Sequence, residues 1–214
     1  MSVLIHNLGA FGAGFRTTLA LTLASFAGAL AIGLVVASMR VSPVAPLRAA
    51  GTAYVETIRN IPLLVLLFLF FFGFPKIGIQ YPPFPSAVIV MAAYTGSFVA
   101  ETIRSGVNTV ARGQAEAARA IGLTFPQSLR LVVLPQALRA VVAPIGNLFI
   151  ALVKNTALAS TIAVVELGSV YTRLITETAQ PVAILFGATV GYLALALTGG
   201  WIFAEIERKV AIKR

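Results

Sequence analysis

The sequence predicts an all-α polytopic membrane protein with five transmembrane helices and one helix-turn-helix loop, forming a single domain over residues 1–214. Three observations predict it. Of 214 residues, 58% are hydrophobic and only 11% charged, and the mean hydropathy is +0.93. The apolar residues fall in runs long enough to span a bilayer. Most of the cations lie in the short connections between those runs.

The spans follow in chain order, each about as long as the hydrocarbon thickness requires. The first covers about 17–40, uncharged from Thr17 to Met39 and closed by Arg40 before Ser42-Pro43 and Pro46 break the chain. The second covers about 54–74 and opens with Glu56 and Arg59 ahead of the apolar run from Leu63 to Phe72, which includes the ordinary membrane phenylalanines Phe68, Phe70, Phe71 and Phe72. A Pro-rich loop, Pro75 to Pro85, follows, in which Pro82, Pro83 and Pro85 oppose a regular helix. The third span covers about 86–105 and the fourth about 137–160, apolar from Ala140 onward except for Lys154. The segment from Val165 to Pro181 is too polar to face lipid and reads as extramembrane or re-entrant. The fifth span covers about 182–204; Gly187 and Gly191 within it make a G-x-x-x-G pair suited to close helix packing.

The net charge of +9 does not imply nucleic acid, because no continuous basic face with interleaved aromatics is present. Lysine and arginine counts instead set orientation. Arg40, Arg48, Arg104, Arg112, Arg119, Arg130, Arg139, Arg208, Lys209, Lys213 and Arg214 fall on one side; Arg16, Lys76 and Arg173 fall on the other. The loop 113–135 and the C-terminus are thus expected inside, the N-terminus and the Pro-rich loop outside. The first sixteen residues lack a basic region ahead of an apolar core, so the first span is expected to remain in the mature protein. With no cysteine and one histidine, thiolate chemistry and a metal-ligand cluster are not expected, and no nucleophile–base pair stands out. No phosphate-binding G-x-x-x-x-G-K-[ST] loop is present, so any ATP-driven step needs another subunit.

Residues 113–135 carry the sharpest signal. Glu116 to Ile121 is a run of helix formers that Gly122 ends, since a residue without Cβ takes the left-handed C-cap conformation readily. Pro126 suits the first turn of a second helix, with Leu129, Val132 and Val133 recurring at helical spacing until Pro135 interrupts it. Glu116-Ala117-Ala118, three residues, Gly122, nine residues, Val132, one residue, Leu134-Pro135: this spacing resembles the EAA motif of bacterial ABC importer permeases. Val132, where isoleucine is commoner, is the one departure. Arg59-Asn60-Ile61-Pro62-Leu63, Val99 to Gly106 with Ala93-Tyr94, Leu134 to Ala137 and Lys154-Asn155-Thr156 extend the resemblance to the polar amino acid branch with a type I importer fold. Met39 to Val44 and Gly106 to Val110 are similar to permeases of actinobacterial glutamate importers.

That resemblance implies an ATP-driven importer of the plasma membrane with glutamate as favoured substrate; glutamine, aspartate or a basic amino acid are the alternatives within the family. It implies two ATPase subunits carrying ATP and Mg, a second and different permease chain, and an extracellular solute-binding protein. It implies no cofactor on this chain and no catalytic role. Glu116, Ala117, Ala118, Gly122, Leu134 and Pro135 would contact or shape the ATPase coupling surface.

Candidate pathway residues come from polar groups inside the spans. Glu-Thr-Ile-Arg occurs at Glu56 to Arg59 and again at Glu101 to Arg104, in each case an i, i+3 acid–base pair near the inner end of its span. Such pairs suit a cytoplasmic gate or a polar lower pathway, or arginines that reach the headgroups with glutamates beside them. Lys154, beside Asn155 and Thr156, needs an anion: the α-carboxylate of a substrate, an ion pair with Glu166, or lipid headgroups. Tyr94 and Ser97 bring hydroxyls that would line a path or bond between helices.

Two other classes remain. A secondary transporter would need inverted repeats and ion-coupling carboxylates, but the chain has no aspartate and an odd span count. A membrane scaffold would use the basic loop alone to hold an acidic partner. The topology itself is testable in this cysteine-free chain. A single cysteine at Gln80 should react with an impermeant maleimide in intact cells, and one at Gln114 only after permeabilisation; the reverse pattern would overturn the orientation.

Overall fold

The structure, a computed structural model, describes residues 2–210; Lys213 and Arg214, counted above among the inner cations, lie outside them. Helix α1, Ser2–His6, leads into α2, Leu8–Val41. The first apolar helix thus begins nine residues before the expected boundary at 17 (17 − 8). Arg16 does not stop it, because its side chain lies exposed and Nε donates to Gly12 O at 3.3 Å within the same helix. Ser42, extended at φ −63° and ψ 144°, ends α2 ahead of Pro43.

The expected second span is not one straight helix. Helix α3, Ala45–Asn60, and α4, Leu63–Phe68, meet at a bend of 101°. Pro62 causes it: its ring excludes the α region for Ile61, which sits at φ −97° and ψ 130°. A π turn, Leu69–Gly73, and a 3-10 turn, Phe74–Ile77, continue α4 until Gly78, at φ +84°, reverses the chain. Helix α5, Pro83–Thr109, starts inside the segment expected to resist helix. Pro83 and Pro85 occupy its first turn, where backbone N–H groups have no partner within the helix and their absence costs nothing.

Helix α6, Arg112–Ala120, and α7, Phe125–Ser128, enclose the turn at Gly122. Here too the expectation is corrected, for Pro135 does not interrupt the second helix. A π turn at Leu129–Val133 passes directly into α8, Leu134–Asn155, with Leu134 N–H bonded to Leu129 O. The widened turn absorbs the ring and the missing donor that Pro135 brings to an α ladder. A 3-10 segment, Thr156–Ile162, then leads through Ala163, at φ +66°, to α9, Leu167–Thr178, and α10, Pro181–Val210. Among the described residues, four helices are long and apolar enough to cross a membrane, and five if the bent pair forms one span.

The core forms where α2 lies along α5, with α8 and α10 closing it. Leu21, Phe26, Met91, Leu152 and Leu195 belong to one buried cluster, and Phe26 and Phe149 meet edge to face at 5.1 Å. Close approach of α2 and α5 depends on Gly33, where a Cβ would lie 2.4 Å from Val99 Cγ1 and 3.2 Å from Ala100 N. Gly187 and Gly191 do the same for α10, against Phe11 and Leu4 and against Leu167.

Gly33→Ala and Gly12→Ala make a matched pair, since each adds a methyl group and helix propensity but only Gly33 has a neighbour in the way. Gly33→Ala should cost about 1–3 kcal/mol through overpacking, seen as a Tm several degrees lower in detergent, while Gly12→Ala should melt no lower than the parent. Equal melting of the two would contradict the helix contact.

Candidate functional site

Among the described residues, the largest convergence of charge lies where α2 ends against α3 and α5. Gly51 allows it: a Cβ there would lie 2.8 Å from Arg40 Cγ and 3.3 Å from Val36 O, so only glycine lets α3 rest on the last turns of α2. The α2–α5 contact at Gly33 then sets Arg40 opposite the last turns of α5. Glu101 accepts from Arg104 Nη2 at 2.5 Å through one carboxylate oxygen and from Arg40 Nη1 through the other. Arg59 Nη1 approaches the second oxygen at 3.9 Å while its guanidinium lies 4.8 Å above the Phe98 ring. Three helices are therefore tied through one carboxylate.

Two cavities open onto this group. One of about 440 Å³ is lined by Arg40, Glu56, Arg59, Glu101 and Arg104 among others. A second of about 380 Å³ shares Arg59, Phe98 and Glu101 and extends to Val141, Pro144 and Leu148 of α8. The paired glutamate and arginine of Glu101–Arg104 meet, as their spacing predicts, but Glu56 and Arg59 do not pair. Arg59 turns across the helix interface to the carboxylate already gathering cations. Arg40 is absent from the sequence-based pathway set. Its place in the final turn of α2 is the only local signal, and there it reads as an orientation marker.

Lys154, Asn155 and Thr156 sit at the other end of α8, about 20 Å along the helix from Val141 at 1.5 Å per residue. Lys154 is exposed and, among the described residues, makes no ion pair. The alternative pairing with Glu166 is not formed. Glu166 is fully buried and taken up elsewhere: Ser169 N–H donates to it at 2.9 Å, Thr18 Oγ1 at 3.4 Å, and Tyr192 OH through a close contact. It caps the N-terminus of α9, where unpaired backbone N–H groups favour a carboxylate. Thr156 is buried with its hydroxyl on Val153 O at 2.6 Å, and Asn155 is half-buried. Ser97 is buried and donates to Tyr94 O at 2.6 Å, and the half-buried Tyr94 ring packs 5.1 Å from Phe98. Neither lines the polar cavities.

At the helix-turn-helix, Gly122 adopts φ +90°. Gly122 N–H donates to Arg119 O at 3.0 Å and Leu123 N–H to Ala118 O at 3.1 Å, closing α6 with the bonds of a glycine C-cap. Thr124 precedes α7, and its backbone N–H donates to Gln127 Oε1 at 2.9 Å, a restraint on the second helix that the Gly122 and Pro126 pattern did not include. Glu116 and Ala117 are exposed, Ala118 is buried, and Leu134 and Pro135 are half-buried in the continuous helix. Ile121 and Phe125 stand exposed at the tip, 80% and 59% accessible, an apolar surface beside a basic loop that reasoning from charge alone passed over. Among the described residues, no cluster of histidine, cysteine or acids is placed to hold a metal ion.

Comparison with known proteins places this arrangement. A family model described as the binding-protein-dependent transport system inner membrane component matches residues 29–212. The glutamate transport system permease protein GluC of Corynebacterium glutamicum is 40% identical over 228 aligned residues, covering 100% of both chains. A protein named probable glutamine ABC transporter permease protein GlnM, of Bacillus subtilis, is 41% identical over 167 residues, 78% of this chain and 77% of that one. A crystal structure of an amino acid ABC transporter with histidines superposes with a TM-score of 0.90 at 30% identity, over 96% of each chain. This chain belongs to the family of binding-protein-dependent transport system inner membrane components.

Proposed function

We propose that this chain is the membrane permease subunit of an ATP-driven importer that carries glutamate into the cell. Full-length similarity to a glutamate permease carries the reading, since it spans the docking loop, the polar cavities and every membrane helix. ATP hydrolysis and its Mg belong to separate ATPase subunits, two in the complex. A second, different permease chain and an extracellular solute-binding protein complete it. The N-terminus lies outside and the loop 113–135 inside, in keeping with the lysine and arginine count.

The α6–α7 knob is the docking element in this proposal, with Glu116, Ala117, Ala118, Gly122, Leu134 and Pro135 forming or shaping it. Because α7 continues through the π turn into α8, a push on the knob reaches the membrane without a hinge between them. Substrate meets Lys154 and Asn155, backed by the buried Thr156, at one level and the cavities at Arg59 and Glu101 at the other. Lys154, exposed and without an ion pair among the described residues, offers its ammonium to the α-carboxylate. Tyr94 stands behind Phe98, which lines both cavities, and the hydroxyl of Ser97 is spent on Tyr94 O.

Gly122→Val forces a β-branched residue into left-handed backbone and should uncouple the knob. Uptake of labelled glutamate by the reconstituted complex should fall at least about tenfold, the effect of roughly 1.4 kcal/mol, while the chain still inserts. Glu116→Lys should weaken co-purification of the ATPase. Normal uptake and association in both would remove the docking assignment. Excess unlabelled glutamine that competes as well as glutamate would instead assign the amide substrate.

Lys154→Met keeps most of the side-chain bulk and deletes the charge. Uptake should be lost while assembly, followed by size-exclusion elution, stays intact; uptake at the parent level would take Lys154 out of the path.

A further inference from the structure

We propose a second ligand site in this chain: an oxyanion-binding cavity on the exposed face of α3, which adjoins the Arg59–Glu101 cavity through Arg40, Glu56 and Arg104 but is not itself lined by Arg59 or Glu101. The cavity, about 550 Å³, is lined by Arg40, Arg48, Thr52, Glu56 and Arg104, with Ala45, Ala49 and Ala53 making up the rest of its wall. Three guanidiniums thus face one lining carboxylate. Glu101, the acid that neutralises Arg40 and Arg104 from behind, does not line it.

Arg40 supplies the independent sign of a ligand. Its side chain is only 9% accessible, one guanidinium nitrogen is engaged by Glu101, and its Nε is buried with no hydrogen-bond partner. A buried guanidinium with a donor left unbonded is unfavourable, and the part of Arg40 that lines the cavity sets its positive charge beside any anion held there. Arg48 is positioned for the same ligand, because its Nη1 is held by Ser42 O at 2.9 Å and Pro43 O at 2.8 Å while the residue itself remains exposed. The guanidinium fork matches the paired oxygens of a phosphate or a carboxylate.

The alanine row gives the cavity its second character. Ala45, Ala49 and Ala53 recur at i, i+4, i+8 on an exposed face of α3, so the cavity opens sideways, away from the α2–α5 core. An anionic phospholipid would place its phosphate on the arginines and the start of its acyl chains along the alanines. A free amino acid carboxylate offers the same oxygens without the apolar stem. Basic pockets between membrane helices hold anionic headgroups by this chemistry.

The full chain in nanodiscs of phosphatidylcholine alone, and of phosphatidylcholine mixed with phosphatidylglycerol, tests the site by thermal unfolding. A third sample holds phosphatidylcholine with sodium glutamate, compared with sodium chloride at equal ionic strength. Bound anion should raise Tm by about 2–4 °C. The rise should vanish in Arg48→Gln and Arg40→Gln and persist in Arg139→Gln, an exposed arginine that does not line the cavity. Because the readout is the difference between environments, a lower starting stability in Arg40→Gln does not obscure it. A rise with phosphatidylglycerol that is lost in Arg48→Gln identifies a headgroup site, and a rise with glutamate that is lost in Arg48→Gln identifies a free-carboxylate site, because Arg48 lines this cavity and neither of the cavities at Arg59 and Glu101. No rise in either sample, or a rise that survives in Arg40→Gln and Arg48→Gln, overturns the proposal.

Discussion

Arg40, Arg59 and Arg104 come from three different helices and would repel one another in a medium that screens charge poorly, yet they converge because Glu101 stands among them. The geometry has steric prerequisites. Without Gly33 the α2–α5 contact opens, and without Gly51 helix α3 cannot rest on the end of α2. Two positions lacking a side chain therefore permit the ionic contact, and the ionic contact in turn holds the bent α3 against the bundle. The polar cavities exist because four helices approach there without filling the space between charged groups.

The loop-to-membrane connection depends on a different device. Proline in a helix interior usually kinks or breaks it, and Pro135 falls where the α6–α7 helix-turn-helix passes into α8. Widening the preceding turn to π geometry lets the chain keep one axis from Phe125 to Ile162. Pro62 shows the opposite outcome. No widened turn precedes it, Ile61 is forced extended, and the chain bends by 101°. Two prolines thus give one continuous helical run and one sharp corner.

Local chemistry made some of this legible in the sequence and tertiary chemistry hid the rest. Gly122 was readable because a glycine after a run of helix formers has one usual purpose, and it sits at φ +90°. The Pro62 bend was not, since an apolar run has the same hydropathy whether bent or straight. Arg16 suggested a span boundary because a charge ends a hydropathy window, whereas a helix ends only where backbone bonding fails. Glu166 looked like the partner of Lys154 by proximity in the chain. Apart from the local cap bond from Ser169, its partners Thr18 and Tyr192 are 148 and 26 residues away. Arg40 was obscured for a similar reason: as one of many cations at span ends it marked orientation, and only the fold puts it on Glu101.

The proposed function has this chain moving glutamate only as part of a complex powered by ATP hydrolysis on another subunit. Uptake of labelled glutamate into proteoliposomes tests it directly, with the chain reconstituted alone and together with its co-expressed ATPase, second permease and binding protein. Accumulation against a gradient should occur with the full complex and ATP, and stop when a non-hydrolysable nucleotide replaces it. Glutamate accumulation by the chain alone, driven by an imposed ion gradient without nucleotide, would contradict the account.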